Sequence, residues 1–487
     1  MAARLILLSA SVALALFSAP AQAADVVVLG PDGTTARRQD PGIAARSRTP
    51  VPHSQVRRPS ATATAAGRTV VGELRRLHRE DRIDRPAYLG YRNEYYRDKA
   101  LARRLTGRRA LELAGVLGTV DRMAAQGSLT ASRLRPLWLQ LERNREWWTT
   151  GPLLVSGQRV SFTGSELVFQ YVPGEGLQIH PLANFGKLNA LWRSRLGADR
   201  MRKLMDELMA IRASRAGGVA WEYYFDFGGG RPPWVSGLAQ GTGLQSLARA
   251  SVKAGQSDLV LPVLRQGLRI FQTAPPSGIR VRAEGGIHYL QYSFAPSLRI
   301  LNGFIQSLVG LYDFGSITKD ARAQRLFSEG DARARREVPA FDTGAWSLYS
   351  RGSSQSESSL EYHTLLAGFL TLLCDRTEEA VHCNAVDRFN GYVRENPGLA
   401  LLTRTLRAGS AGALRFRLSK VSRVTVQLKR GDQVVYSYTA TFGYGTRSLT
   451  FKPPKQARRY DVRIAATDLA GNSAVLEDWI RVLEPRD

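Results

Sequence analysis

From about Val70 to Trp148, apolar residues recur at helical spacing. Ala110, Leu111, Leu113, Ala114, Val116 and Leu117 are followed by Val120 and Met123, then by Leu134, Leu137, Leu139 and Leu141 before Trp147 and Trp148. Between Leu153 and Tyr171 the pattern alternates instead, through Leu153, Val155, Val160, Phe162 and Leu167-Val168-Phe169, which predicts a small hairpin or sheet. Helical spacing returns from Asn184 to about Cys383. It predicts helices over 191–213, 238–254, 259–271, 298–312 and 360–373, joined by loops that hold Gly, Pro and aromatic residues. Paired helices with aromatic-rich loops predict an α/α toroid, an incomplete α/α barrel, which carries its binding residues on the loops of one rim.

From Leu401 the period shortens to two. Leu414-Phe416-Leu418, Val424-Val426-Leu428, Val434-Val435-Tyr436, Leu449-Phe451 and Val462-Ile464 read as short strands, with turns at Gly431-Asp432 and Leu469 to Asn472. About seven strands in roughly 85 residues predict an immunoglobulin-like sandwich over 400–487, without an intersheet cysteine pair. It shows no binding motif, so it reads as a spacer more than as an attachment module. Residues 24–69 are rich in Pro, Arg, Ser, Thr and Ala and read as a flexible linker. Residues 1–23 have the build of a signal peptide: Arg4, an apolar run from Leu5 to Phe17, and Ala21-Gln22-Ala23 as a cleavage site. The expected protein is therefore secreted or extracytoplasmic, with its helical domain over 70–395. No later apolar stretch has the length of a membrane span.

Composition narrows this reading. The 487 residues carry a formal charge of +26, with 44% hydrophobic residues, so the chain as a whole is globular. Only nine of the basic residues are Lys, and the arginines are spread through every segment. Two readings fit: a polyanionic partner, or ordinary solvated surface cations. Export weakens the nucleic-acid version and leaves an acidic polysaccharide. Cys374 and Cys383 lack a second ligand pair for zinc. In an exported chain they could close a small disulfide loop; buried free thiols are the alternative. The six His show no metal-ligand spacing, and no P-loop, HExxH or GxSxG occurs. Gly241-Thr242-Gly243 follows no strand and is discarded as a dinucleotide fingerprint. Neither a metal nor an organic cofactor is expected.

The distinctive chemistry is aromatic. Trp221 to Phe227 runs into a glycine triplet and Trp234; His288-Tyr289-Leu290-Gln291-Tyr292 and Trp346 to Tyr349 precede helices, and Glu361-Tyr362-His363 follows. Aromatic rims with polar tips suit sugar rings, and aromatic core packing accounts for many such residues equally. At these residues the chain resembles the D-glucuronyl C5-epimerase family, in its C-terminal catalytic domain. The resemblance runs through Trp234 to Ala250 (WVSGLAQGTGLQSLARA), Leu301 to Phe314 (LNGFIQSLVGLYDF), Phe341 to Tyr349 (FDTGAWSLY) and Glu361 to Thr364 (EYHT), and is clearest over 215–375.

The resemblance implies a uronate-polymer C5-epimerase of the glucuronate-to-iduronate, heparosan-like type. It implies Tyr292, Tyr362 and Tyr349 as catalytic residues. Gln291, His180, Gln178, Trp234, Gln240, Asn302, Arg351, His363 and Glu222 are the candidate substrate contacts. Inverting C5 needs one group to remove a proton and another to return one to the opposite face. The proton lies α to a carboxylate, so donors must neutralise that carboxylate. Two departures matter. Gln291 stands where the animal enzymes carry a catalytic Glu, and an amide is no base near neutral pH. Ser359 stands where an Arg is expected, and Arg351 is the candidate to compensate. If Gln291 binds substrate instead, Glu222, Glu175 or His180 could supply the base. A polysaccharide lyase, or a binding protein that has lost its base, are the alternatives.

Overall fold

The structure, a computed structural model, describes residues 23–44, 68–194 and 197–485. The expected signal peptide lies outside the described residues, apart from its last residue. The architecture is mixed α/β: helices alternate with short sheets up to Tyr392, and β-strands alone follow.

The first departure from expectation is at the N-terminus. Residues 24–44, expected as part of a linker, belong to two antiparallel strands, Ala23–Leu29 and Thr35–Ala44. The first pairs in parallel with Arg159–Phe162, and Phe169–Val172 and Gly176–Ile179 complete a five-stranded sheet. The cause is a strong turn. Asp32 accepts hydrogen bonds from the Thr34 amide (3.1 Å) and hydroxyl (2.7 Å), and Gly33 takes φ +83°, which favours glycine. Val27 and Leu29 then enter the main core. Asp40 is buried between Lys187 (3.0 Å) and Arg200 (2.9 Å), which also hold Glu166. With Arg38, which also pairs with Asp40 (2.9 Å), this five-membered cluster fastens the second strand to helix Pro181–Arg193 and its successor Ala198–Ala210. The single helix expected over 191–213 is thus two, and Gly197, at φ +137°, opens the second.

Helices Gly237–Ala254 and Leu301–Thr318 form the centre, with all but a few of their residues buried. A helix apolar or small on every side belongs inside a protein. They approach until backbones touch: a Cβ on Gly310 would sit 2.2 Å from the Gly241 carbonyl oxygen, and one on Gly241 would sit 2.8 Å from Ser307 Cα. Gly241 therefore serves helix packing. Helices Ala321–Ala340, Leu360–Thr377 and Ala380–Tyr392 continue the body, and a Cys374–Cys383 disulfide ties the last two together. Among the described residues no helix is long and apolar enough to cross a membrane.

The C-terminal unit is two sheets around one core. Leu399–Leu401, Gly412–Leu418 and Gly445–Phe451 form one sheet. Thr405–Arg407, Ser473–Leu483, Arg459–Asp468, Ser422–Arg430 and Gln433–Phe442 form the other. Val424, Val426 and Leu428 alternate inward to meet Leu414, Phe416 and Leu449 from the opposite sheet.

Candidate functional site

Three separate segments bring the three tyrosines together. Tyr292 follows strand Gly286–Tyr289, Tyr349 lies in strand Leu348–Gly352, and Tyr362 opens helix Leu360–Thr377. Ser359 caps that helix by accepting the Tyr362 amide N–H at 3.2 Å. The residue found where an arginine was expected thus sets the helix start that presents Tyr362.

The rings of Tyr349 and Tyr362 lie 4.7 Å apart. The Gln291 amide nitrogen donates to the Tyr292 hydroxyl oxygen at 2.8 Å. Tyr292 is walled by Phe227 (5.4 Å), Phe294 (5.4 Å, stacked) and the edge of Trp234 (5.9 Å). Burial, and then the Tyr362 phenol, push the Tyr292 pKa up to about 12. The Gln291 amide and the Tyr349 hydroxyl oppose this as donors to its oxygen. Tyr349 is pushed up further, by burial first and then by its two phenol neighbours. At neutral pH Tyr292 and Tyr349 are therefore protonated donors, and a Tyr292 phenolate has two donors to assist it, Gln291 and Tyr349.

Gln291 lies against Gly303 of the central helix Leu301–Thr318, where a Cβ would meet its Oε1 at 2.5 Å. Among the described residues that buried oxygen has no hydrogen-bond partner, and neither has Asn302 Oδ1, beside Gly303. The Asn302 amide nitrogen donates to the Tyr362 carbonyl oxygen at 2.9 Å, pinning the start of the tyrosine helix. Sequence reasoning missed Gly303. The signal was a glycine inside a helix, which costs stability unless something must pass close by.

Six of the other candidates have internal tasks. Glu222 is buried and held by Arg133 (2.7 Å) and Arg215 (2.8 Å). Those arginines outweigh the burial that would raise its pKa, so the pKa lies below the ordinary value and Glu222 is no free base. Gln240 spans the Trp221 backbone, accepting its N–H and donating to its carbonyl. Gln178 accepts from Gln140 within the first sheet's core. Trp234 is buried face to face with Tyr223 (4.2 Å) and donates to the Phe225 carbonyl, so it backs the wall rather than offering a sugar platform. His363 is buried: its Nε2 donates to the Phe389 carbonyl (2.9 Å), and its Nδ1 accepts from Ser347. Burial lowers its pKa, so it stays neutral and structural. Arg351 donates to the Ala340 carbonyl and lies over Phe341, turned from the role expected of it.

His180 caps helix Pro181–Arg193, accepting the Ala183 N–H, and its ring meets the edge of Tyr223 behind Trp234. Glu175 is different. Burial, and then Asp226, raise its pKa to about 7, against Arg122, which lies 3.7 Å from Glu175 and 3.8 Å from Asp226. Asp226 sits between Phe225 and Phe227 of the aromatic wall. Among the described residues no group of three His, Cys, Asp or Glu side chains converges as a metal site.

Residues 216–391, which hold this arrangement, match the family model of the D-glucuronyl C5-epimerase C-terminus. This region belongs to the D-glucuronyl C5-epimerase family. The D-glucuronyl C5-epimerase of Caenorhabditis elegans is 28% identical over 179 residues, covering 33% of this chain and 29% of its own length. An uncharacterized protein of Methanocaldococcus jannaschii is 27% identical over 138 residues, covering 27% of this chain and 44% of its own. The chain thus spans less than half of either relative. Among solved structures, a β-arabinofuranosidase superposes with a TM-score of 0.21 at 10% identity, covering 76% of this chain and 73% of its own. That is too loose to carry an argument. Within the epimerase-family region lie all three tyrosines, Gln291 and Gly303. Glu175, His180 and the first sheet lie outside it.

Proposed function

We propose that the protein is a C5-epimerase of an acidic, uronate-containing polysaccharide. The observation that carries this is the meeting of Tyr292, Tyr349 and Tyr362 beside Gln291, in a region of the epimerase family. In the forward step the Tyr292 phenolate takes the C5 proton, the C–H electron pair moving into the sugar carboxylate as an enediolate. The Tyr362 hydroxyl then gives its proton to C5 from the opposite face and becomes the phenolate. Tyr349 donates to Tyr292, and its ring lies 4.7 Å from that of Tyr362 at a tilt of 45°; a proton passed from Tyr292 through Tyr349 to the Tyr362 phenolate would restore the starting state. Protonated phenols also supply the donors that a developing enediolate requires. Tyr362, at 42% exposure, is the phenol most open to a polymer.

The chain's +26 charge suits an acidic partner, and the Cys374–Cys383 disulfide suits an oxidising, extracytoplasmic setting, in line with a signal peptide over 1–23. The finer fold reading rests on the same footing. Helix pairs around a central pair support an α/α toroid, and two sheets around one core support an immunoglobulin-like sandwich. Gln291 in the place of a carboxylate favours a second reading, a polysaccharide-binding protein without turnover. Incubation with non-sulfated uronate polymers in heavy water separates the readings. Deuterium at C5 with intact chains supports the epimerase, unsaturated ends indicate a lyase, and binding without either leaves the binder.

A further inference from the structure

The C-terminal two-sheet unit meets the helical body through polar groups, of which Lys420 and Asp468 are buried. Lys420, in the turn between Gly412–Leu418 and Ser422–Arg430, is 1% exposed. Its ammonium leaves its own unit to donate to the carbonyls of Tyr392 (2.7 Å) and Glu395 (2.6 Å), pairs with Asp468 (3.2 Å), and lies 5.5 Å from the Trp346 ring centre. Trp346 is stacked face to face on His363, with ring centres 3.8 Å apart. His363 follows Tyr362 in the chain. The second contact comes from the other side. Glu357 pairs with Leu348, the residue before Tyr349, in their short ladder, and its carboxylate reaches across to accept the N–H groups of Val421 and Tyr444, each at 2.8 Å. Gln355 donates to the Tyr444 hydroxyl, and Asn472 to the Val393 carbonyl.

A tethered spacer has no reason to bury an ammonium against its neighbour's helix end. A desolvated charge persists only where several partners fix its position. Both contacts lead to the elements that carry Tyr349 and Tyr362. We infer that the C-terminal unit is a working part of the site, with Lys420 and Glu357 as positioning residues for Tyr362 and Tyr349. The inference rests on the proton-transfer reading of those tyrosines. Displacing a reacting group by about 1 Å costs on the order of a hundredfold in rate.

The test uses the full chain. Lys420→Met with Asp468→Asn removes both charges, so no lone ion is left buried, and Glu357→Gln weakens the second contact without deleting the side chain. C5 deuterium exchange on a uronate polymer is split into kcat and KM, and amide hydrogen exchange is followed over 346–363 and over the central helix 237–254. The expected result is a folded protein with kcat lowered roughly tenfold to a hundredfold and KM within about twofold. Amide exchange should be faster in 346–363 and unchanged in the central helix. Wild-type kcat with unchanged amide exchange in folded variants overturns the inference, and so does a rise in KM alone. If the wild-type chain exchanges no proton on any polymer, the functional reading fails by itself, and the amide-exchange comparison still decides whether these residues position the tyrosine elements.

Discussion

Replacing Gln291 by glutamate offers the sharpest handle on the chemistry. On the proposed mechanism the base is the Tyr292 phenol, whose pKa burial pushes up to about 12. At pH 7.5 it is ionised in roughly one molecule in 10⁴ to 10⁵. A carboxylate in the place of the Gln291 amide would sit 2.8 Å from the Tyr292 oxygen. Even if burial raised its pKa to about 6, it would be mostly ionised at that pH. The population of base then rises about 10⁴-fold. A carboxylate six units less basic is also a poorer proton acceptor, and a Brønsted slope of about 0.5 takes back about 10³ of that gain. The expected net effect of Gln291→Glu is a rise in C5 exchange of about tenfold to a hundredfold. The pH profile should change with it. The wild-type rate climbs about tenfold per unit between pH 6 and 9, whereas the variant levels off above its carboxyl pKa. The partly buried charge costs about 1–3 kcal/mol of stability, visible as a lower Tm. The assay is deuterium uptake at C5 by NMR, with polymer binding and Tm measured on the same preparation. A folded, polymer-binding variant with the wild-type rate and profile would refute the assignment of Tyr292 as proton acceptor.

Other consequences are simpler to check. Tyr292→Phe should lower exchange at least a hundredfold, within the usual range for losing a general base, while polymer affinity by calorimetry stays within about threefold; retained turnover would move the chemistry elsewhere. Gly303→Ala should push the Gln291 side chain off its place and reduce exchange by more than tenfold, since the added Cβ would meet Gln291 Oε1 at 2.5 Å; a neutral result would show that Gln291 has room to move. Reducing the Cys374–Cys383 bridge, or changing both residues to Ser, opens a loop with a sequence separation of 9 and should cost about 2–3 kcal/mol by denaturant titration. Burial lowers the pKa of His288 and His363, so below about pH 6.5 the unfolded chain binds protons that the folded one refuses. Stability should fall as pH drops through that window, by about 1.4 kcal/mol for each unit either folded pKa is depressed; a flat Tm between pH 7 and 5 would contradict this.

Much of the helical body was legible because its apolar stripes are long and regular, and the C-terminal strands because Val424, Val426 and Leu428 alternate cleanly. The N-terminal strands were not. Four apolar residues from Val26 to Leu29 are too few for a periodicity, and the second strand is polar along most of its length. Its place depends on Asp40 meeting Lys187 and Arg200, partners 147 and 160 residues away along the chain. Tyr349 and Tyr362 stand inside the family strings FDTGAWSLY and EYHT, whereas Tyr292 stands outside the four strings, at the end of His288 to Tyr292. The neighbouring polar residues misled for one recurring reason. Sequence shows a polar group without its partner, and Glu222 is answered by Arg133, Gln240 by the Trp221 backbone and Gln178 by Gln140. His363 follows Tyr362, yet one helical residue turns the side chain by about 100°, so Tyr362 is exposed while His363 is buried. The reading of the β-unit as a spacer rested on the lack of a binding motif, and Lys420 belongs to no motif.

The most direct test of the whole account is C5 proton exchange in heavy water, comparing the full chain with its Tyr292→Phe and Tyr362→Phe variants on one uronate polymer that all three bind. The account predicts deuterium at C5, with new iduronate signals and intact chains, for the wild-type protein, and at least a hundredfold less for each variant. Equal exchange in all three, or unsaturated ends in place of deuterium, would contradict it.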